Sequence, residues 1–203
     1  YKNFFKAKEK IFISVFDRSS GINSWVEPEY HKKFYDRIIS LAERNDNVRL
    51  IVKPKSKINY NILKYKNLKQ RLNLLIEKNK LIILNSSYSV LHAALLSKLS
   101  FSLGVNSAGV QSSVGGVYPF FWDPLCFGKS CYSELASHAG YEESFNVSSD
   151  LELLISNLES IISNASNLDK LRLNHDFIVN RNFFNDDKSL KRMTENIENI
   201  FYH

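Results

Sequence analysis

The 203 residues are 44% hydrophobic and 24% charged, an ordinary globular balance that excludes fibrous, collagen-like and wholly disordered chains. No stretch nears the roughly 20 apolar residues of a membrane helix, and the Lys-rich opening lacks the apolar run of a signal peptide, so a soluble domain is expected. The net charge of +6 hides an asymmetry: residues 1–80 carry 19 Lys or Arg against 8 Asp or Glu, a net of +11, and the remainder is net −5.

That basic half suits an anion, whether nucleic acid, an anionic membrane or a phosphorylated small molecule, although lysines such as Lys64, Lys66 and Lys69 equally suit solvated helix faces. Nucleic acid is disfavoured, because there is no Cys/His finger or Arg-rich arm and the basic residues are scattered among apolar ones. Cys126 and Cys131 are the only cysteines, too few for a disulfide framework or a four-ligand zinc site, so the expectation is a reducing cytoplasm and no metal. The chain opens on Tyr1 rather than Met, as an excerpt of a longer polypeptide would.

In chain order, Ile11 to Phe16 is a nearly continuous apolar run with β-branched and aromatic members, the pattern of a strand buried on both faces. Pro28 to Asn45 follows as a helix, with Pro28 in its first turn and Tyr30, Phe34, Ile38, Leu41 and Ala42 at helical spacing. Val48 to Val52 is a second strand. Ile58, Ile62, Tyr65, Leu68, Leu72 and Leu75 mark a second helix, and Leu81 to Leu84 a third strand. Val90 to Leu99, apolar on most sides, is expected to be a buried helix, and Phe101 to Leu103 a weaker fourth strand that ends at Gly104.

This alternation predicts a Rossmann-like α/β domain: a parallel sheet with right-handed crossovers and helices on both faces. Val105 to Gly116, rich in Gly, Ser and Asn, and the aromatic, proline-punctuated Tyr118 to Pro124 are expected to be loop. Ser149 and Glu152 form a capping box ahead of Leu151, Leu154, Ile155, Leu158 and Ile162. A last helix is expected within 187–203, and with no repeat or low-complexity linker 1–203 is one domain.

Ligands of an open parallel sheet bind beyond the carboxyl ends of its strands. Three segments fall there: Asp17-Arg18-Ser19-Ser20-Gly21, Lys53-Pro54-Lys55, and Asn85-Ser86-Ser87-Tyr88-Ser89 at a helix start. Cations, a glycine-bearing turn and a hydroxyl-rich helix N-terminus on one rim make a candidate phosphate site. Each part also has a plain structural role: Ser86, Ser87 and Ser89 as caps, Lys53-Pro54-Lys55 as a strand end, Gly21 as a turn, and His92 as a packing residue. Gly104, Gly109, Gly115 and Gly116 match neither a Walker A loop nor a GxGxxG fingerprint.

The run Leu81 to Leu99, with its strand, Ser-Ser turn and helix, resembles the donor half of GT-B fold glycosyltransferases, especially those of bacterial surface and capsular polysaccharides. Val52-Lys53-Pro54-Lys55 is similar to their His-Pro or Lys-Pro motif, and Asn185 to Arg192 resembles the opening of their terminal helix. The resemblance implies one half of a GT-B architecture, binding a nucleotide sugar as substrate through Arg18, Ser20, Gly21, Lys53, Lys55, Ser86, Ser87, Ser89 and His92, with no cofactor. It assigns no catalytic residue, because the amino-terminal half that would hold the glycan acceptor lies outside this chain. His92 stands where the family has Glu, and Ser97-Lys98-Leu99 where it has Gly-Lys-Pro. The expected place is the cytoplasm, with peripheral association at the inner face of the membrane as a further expectation. A transferase of nucleotide-activated glycerol phosphate, a sugar-nucleotide epimerase and a non-catalytic binding module of a surface-assembly complex are the alternatives.

Overall fold

The computed structural model describes residues 10–18, 26–55, 65–85, 87–125 and 144–164. Their elements are β1 (Ile11–Phe16), α1 (Pro28–Arg44), β2 (Val48–Lys53), α2 (Lys66–Glu77), β3 (Leu81–Ile83), α3 (Val90–Ala94), β4 (Leu99–Leu103), α4 (Ser107–Val114), β5 (Tyr118–Trp122), β6 (Val147–Ser148) and α5 (Leu151–Ser163). All six strands pair in parallel in the order β3-β2-β1-β4-β5-β6. This is a Rossmann-like α/β fold, and its winding reverses between β1 and β4.

The two faces of the sheet differ. Ile13, Val15, Leu50, Val52, Phe101 and Leu103 face α1, α2 and α5 in the main core, where the Phe34 ring stacks on Phe101 at 5.4 Å and on Trp122 at 6.4 Å. Phe16, Ile51 and Ile82 face α3 through Ala93. Further along that face the sheet presents serines: Ser100 and Ser112 hydroxyls lie 3.0 Å apart, and Ser14 bonds the Ala93 carbonyl at 3.0 Å and the Ser97 hydroxyl. Small side chains let α4 lie close against β4. A Cβ on Gly109 would press into the Ser102 hydroxyl and stand 2.5 Å from the Phe121 ring.

Four expectations are corrected. The Gly/Ser/Asn stretch after Gly104 contains α4, started by Asn106, whose Oδ1 accepts the Gly109 N–H at 2.8 Å; its composition reflects close packing on the sheet. Tyr118 to Trp122 is a strand despite Pro119. The N–H groups of Phe121 and Asp123 point to β6 and that of Tyr118 to the β4 side, so residue 119 would donate toward β6 at a level where β6 has not begun, and proline forfeits no ladder bond there.

The predicted helix Val90 to Leu99 stops at Ala94. The Ser97 hydroxyl bonds the Ala93 carbonyl at 2.8 Å, the Lys98 N–H bonds Phe12 O at 3.1 Å, and Leu99 opens β4. This helix is not buried either, for Leu91, Leu95 and Leu96 are 50, 79 and 42% exposed. The cap of α5 is Asp150 rather than Ser149, its Oδ1 accepting from Glu152 N at 2.9 Å and Leu153 N at 3.2 Å. The expected helix in 187–203, Asn185 to Arg192, Ile58, Ile62, Cys126 and Cys131 lie outside the described residues.

Gly109→Ala tests the close contact. Propensity alone would make this helix-interior change stabilising by about 1 kcal/mol, whereas overpacking predicts a net loss of about 1 to 3 kcal/mol, read as a lower urea midpoint. A midpoint that stays or rises would mean that α4 lifts away freely.

Candidate functional site

The carboxyl rim runs, in sheet order, from β4 through β1 and β2 to β3. Gly104 follows β4 with φ +72, a conformation suited to glycine. The half-buried Arg18 follows β1 and lies across it: a Cβ on Gly104 would stand 2.8 Å from Arg18 Nη1 and 3.2 Å from its Cδ. Arg18 therefore occupies the point where the sheet reverses, the place an open α/β sheet leaves for a ligand. Behind it, buried Asp123 takes the Val105 N–H at 3.3 Å and the Leu125 N–H at 3.2 Å, holding the chain after β4.

Lys53 ends β2 in register with Phe16. It stands two residues on from Ile51, so it projects to the same face of the sheet, that of α3. Lys53 is half-buried, with Nζ 3.4 Å from the Pro54 carbonyl oxygen, and Lys55 is exposed. Between them and β1 lies Asp17, which is 7% exposed. Its Oδ2 accepts from Tyr35 OH at 2.8 Å and its Oδ1 from the Lys55 N–H at 2.6 Å. Burial pushes this carboxyl above its ordinary range, opposed by the Lys55 N–H, the Tyr35 hydroxyl and the Lys53 charge. Tyr35 is driven well upward by its own burial and by the Asp17 charge.

At the β3 edge, roughly 10 Å from β1 by strand spacing, Asn85 Oδ1 accepts the Ser87 N–H at 3.0 Å, and Ser87 is exposed. Ser89 caps α3. Its N–H donates to His92 Nδ1 at 3.2 Å and its hydroxyl is 2.9 Å from the same nitrogen. His92 thus fills the capping-box place that Glu takes elsewhere, its accepting Nδ1 leaving the proton on Nε2, and Tyr88 meets its ring edge-on at 5.6 Å. Leu84, Asn85, Tyr88, His92, Leu95 and Leu96 line a largely apolar groove of about 780 Å³. Ser20, Gly21 and Ser86 lie outside the described residues.

The structure thus sets Arg18, Lys53 and Lys55 along neighbouring strand ends and leaves Ser87, Ser89 and His92 at the far edge of the same rim. Asp17, Tyr35, Gly104 and His31 were not among the expected site residues. A carboxylate directly ending an apolar strand was the one available signal for Asp17. Among the described residues no cluster of three or more His, Cys, Asp or Glu could hold a metal ion, and no helix is long and apolar enough to cross a membrane.

No protein-family model matches the sequence, and no curated protein does. Solved structures do share the fold. The chain is similar to a Listeria monocytogenes protein described as a UDP-N-acetylglucosamine 2-epimerase, with TM-score 0.54 and 10% identity over 98% of this chain and 47% of that one. It is similar to the C-terminal domain of a glycosyl transferase group 1 family protein from Francisella tularensis, with TM-score 0.53 and 11% identity over 87% and 89% of the two chains. A third likeness is to the structure of accessory secretory proteins 1, 2 and 3 of Streptococcus pneumoniae, with TM-score 0.50 and 9% identity over 97% and 36%. The chain spans about half the length of the epimerase and about a third of the secretory protein chain. What these neighbours share with it is the GT-B-type fold.

His31, in the first turns of α1, is 1% exposed, and neither ring nitrogen has a hydrogen-bond partner. Burial lowers its pKa to about 4 from 6.5; the Arg18 backbone acts in the opposite sense without completing a hydrogen bond. Because the folded value lies below the unfolded one, the unfolded chain takes up this proton first as pH falls. The stability is therefore full above about pH 6.5 and drains toward pH 4, by on the order of 3 kcal/mol. Asp17 acts with the opposite sign and is common to both proteins compared. His31→Leu is expected to flatten the acid limb and to hold or raise stability at pH 7, since it removes two unsatisfied polar atoms. Urea unfolding at pH 7 and pH 4.5 checks this, and an unchanged acid limb would refute it.

Proposed function

We propose that this chain is the nucleotide-sugar-binding half of a GT-B-type glycosyltransferase acting in the cytoplasm on surface polysaccharide. The observation that carries this reading is the seat of Arg18 on Gly104 where the sheet reverses, with Lys53 at the next strand end. Two cations fixed by strand ends are suited to a diphosphate, whose charge they oppose before the ligand arrives and without reorganising. In the transfer, the acceptor oxygen forms a bond to the anomeric carbon as the bond to the nucleotide's phosphate oxygen breaks. Arg18 and Lys53 then stabilise the charge that develops on that departing phosphate. The acceptor and its general base come from outside this chain, so the chain alone binds nucleotide and does not turn over, near-attack geometry being incomplete. The same leaving-group chemistry serves an epimerase of nucleotide sugars or a transferase of nucleotide-activated glycerol phosphate.

A second reading, a non-catalytic module of a surface-assembly complex, draws support from the exposed Leu91, Leu95 and Leu96 beside the apolar groove. The fold likeness to accessory secretory proteins favours it too.

Titration with a panel of nucleoside mono- and diphosphates separates the two. Under the first reading a diphosphate raises the melting temperature by mass action. Arg18→Ala and Lys53→Ala each weaken its binding by about 1 to 3 kcal/mol, with a loss that shrinks as salt rises and little change in unliganded stability. Absence of binding across the panel would favour the second reading.

A further inference from the structure

We infer that Asp17 is a positioning residue for the cationic rim, an inference that rests on reading that rim as a phosphate site. A buried carboxylate beside a proposed anion site is at first sight misplaced, since its charge repels the ligand and its burial is unfavourable. The geometry gives it a different task. Pro54 has no N–H, so Lys55 supplies the first backbone donor after Lys53, and Asp17 Oδ1 takes it at 2.6 Å. The other oxygen is held by Tyr35 OH at 2.8 Å from the middle of α1, a side chain that is 1% exposed and cannot move without the core. Asp17 therefore ties the turn after β2 to the end of β1 and to the helix packed above it. The ladder between β1 and β2 stops at Lys53, so Asp17 carries the attachment of that chain to β1 two residues further, to Lys55.

Hydrogen-bond acceptance and charge make opposite demands on substitutions, so the role is separable from fold stability. Asn can still accept from the Lys55 N–H and can donate to the Tyr35 oxygen, and it removes the repelling charge. Ala removes both. The experiment measures inorganic pyrophosphate binding by calorimetry for the whole protein and for Asp17→Asn, Asp17→Ala and Tyr35→Phe, together with hydrogen exchange at the Lys55 amide. Asp17→Asn is expected to bind at least as tightly as the unaltered protein, and Asp17→Ala about tenfold more weakly, with fast exchange at Lys55 in the Ala variant only. Tyr35→Phe, which leaves the Lys55 bond in place, should lower the melting temperature with binding within about threefold. Asp17→Ala binding as tightly as Asp17→Asn would mean that only the charge matters and would overturn the inference. Failure of the unaltered protein to bind pyrophosphate would defeat the phosphate reading, while Lys55 exchange unaltered in Asp17→Ala would defeat the tie itself.

Discussion

A strand with partners on both edges and helices over both faces meets water only at its ends. β1 is in that position, between β2 and β4, and its last four residues are buried. Every polar group there must be satisfied inside the protein or moved to the rim, which is how Ser14 comes to bond the Ala93 carbonyl and how Asp17 and Arg18 come to stand at the carboxyl end. The candidate site follows from this confinement. Charged residues that end or follow β1 and β2 are tolerated where the strands stop, and the reversal of winding brings the end of β1 beside Gly104.

The larger face of the sheet supplies the rigidity. Phe34, Phe101 and Trp122 stack in a column that clamps α1 across β4 and β5. Arg71 joins α2 to α1 through Asp36, Ser40 and Glu43, a network with more to offer than the exposed Arg37–Glu152 and Arg44–Glu159 pairs at 2.6 and 2.7 Å. Tyr35, which holds Asp17, belongs to this layer, so the rim inherits its placement from the aromatic core.

Much of this was legible where one pattern dominated. β1, β2, β3 and α1 were read closely because each is a run of a single periodicity. α4 and β5 were not, for opposite reasons. In α4 the small residues demanded by contact with β4 imitate loop composition, and in β5 a proline is harmless because its neighbour strand starts two residues later, which requires the pairing to be known. The apolar run Val90 to Leu99 outlasts α3 because apolar content does not entail burial, and Leu95 is 79% exposed. At the site, Asp17, Arg18 and Lys53 all follow strands in the sequence, whereas the partners that give Asp17 its role and the seat that Gly104 gives Arg18 depend on helix packing and strand order. Solved structures near 10% identity keep the same architecture, as expected of a fold set by pattern rather than by particular side chains.

The unequal faces also divide the molecule by cohesion. Among the described residues, one layer is held by interlocked aromatic rings and three long helices, and the other has a five-residue and an eight-residue helix resting on Phe16, Ile51, Ile82 and Phe121 together with serines, alanines and a glycine. Among the described residues the buried apolar clusters on that second face are smaller than the main core, so its amides are expected to open at a lower free energy than those of β1 and β4. The strand ends bearing Arg18 and Lys53 belong to the sheet, the part of the domain that both sets of helices cover and that is expected to open last.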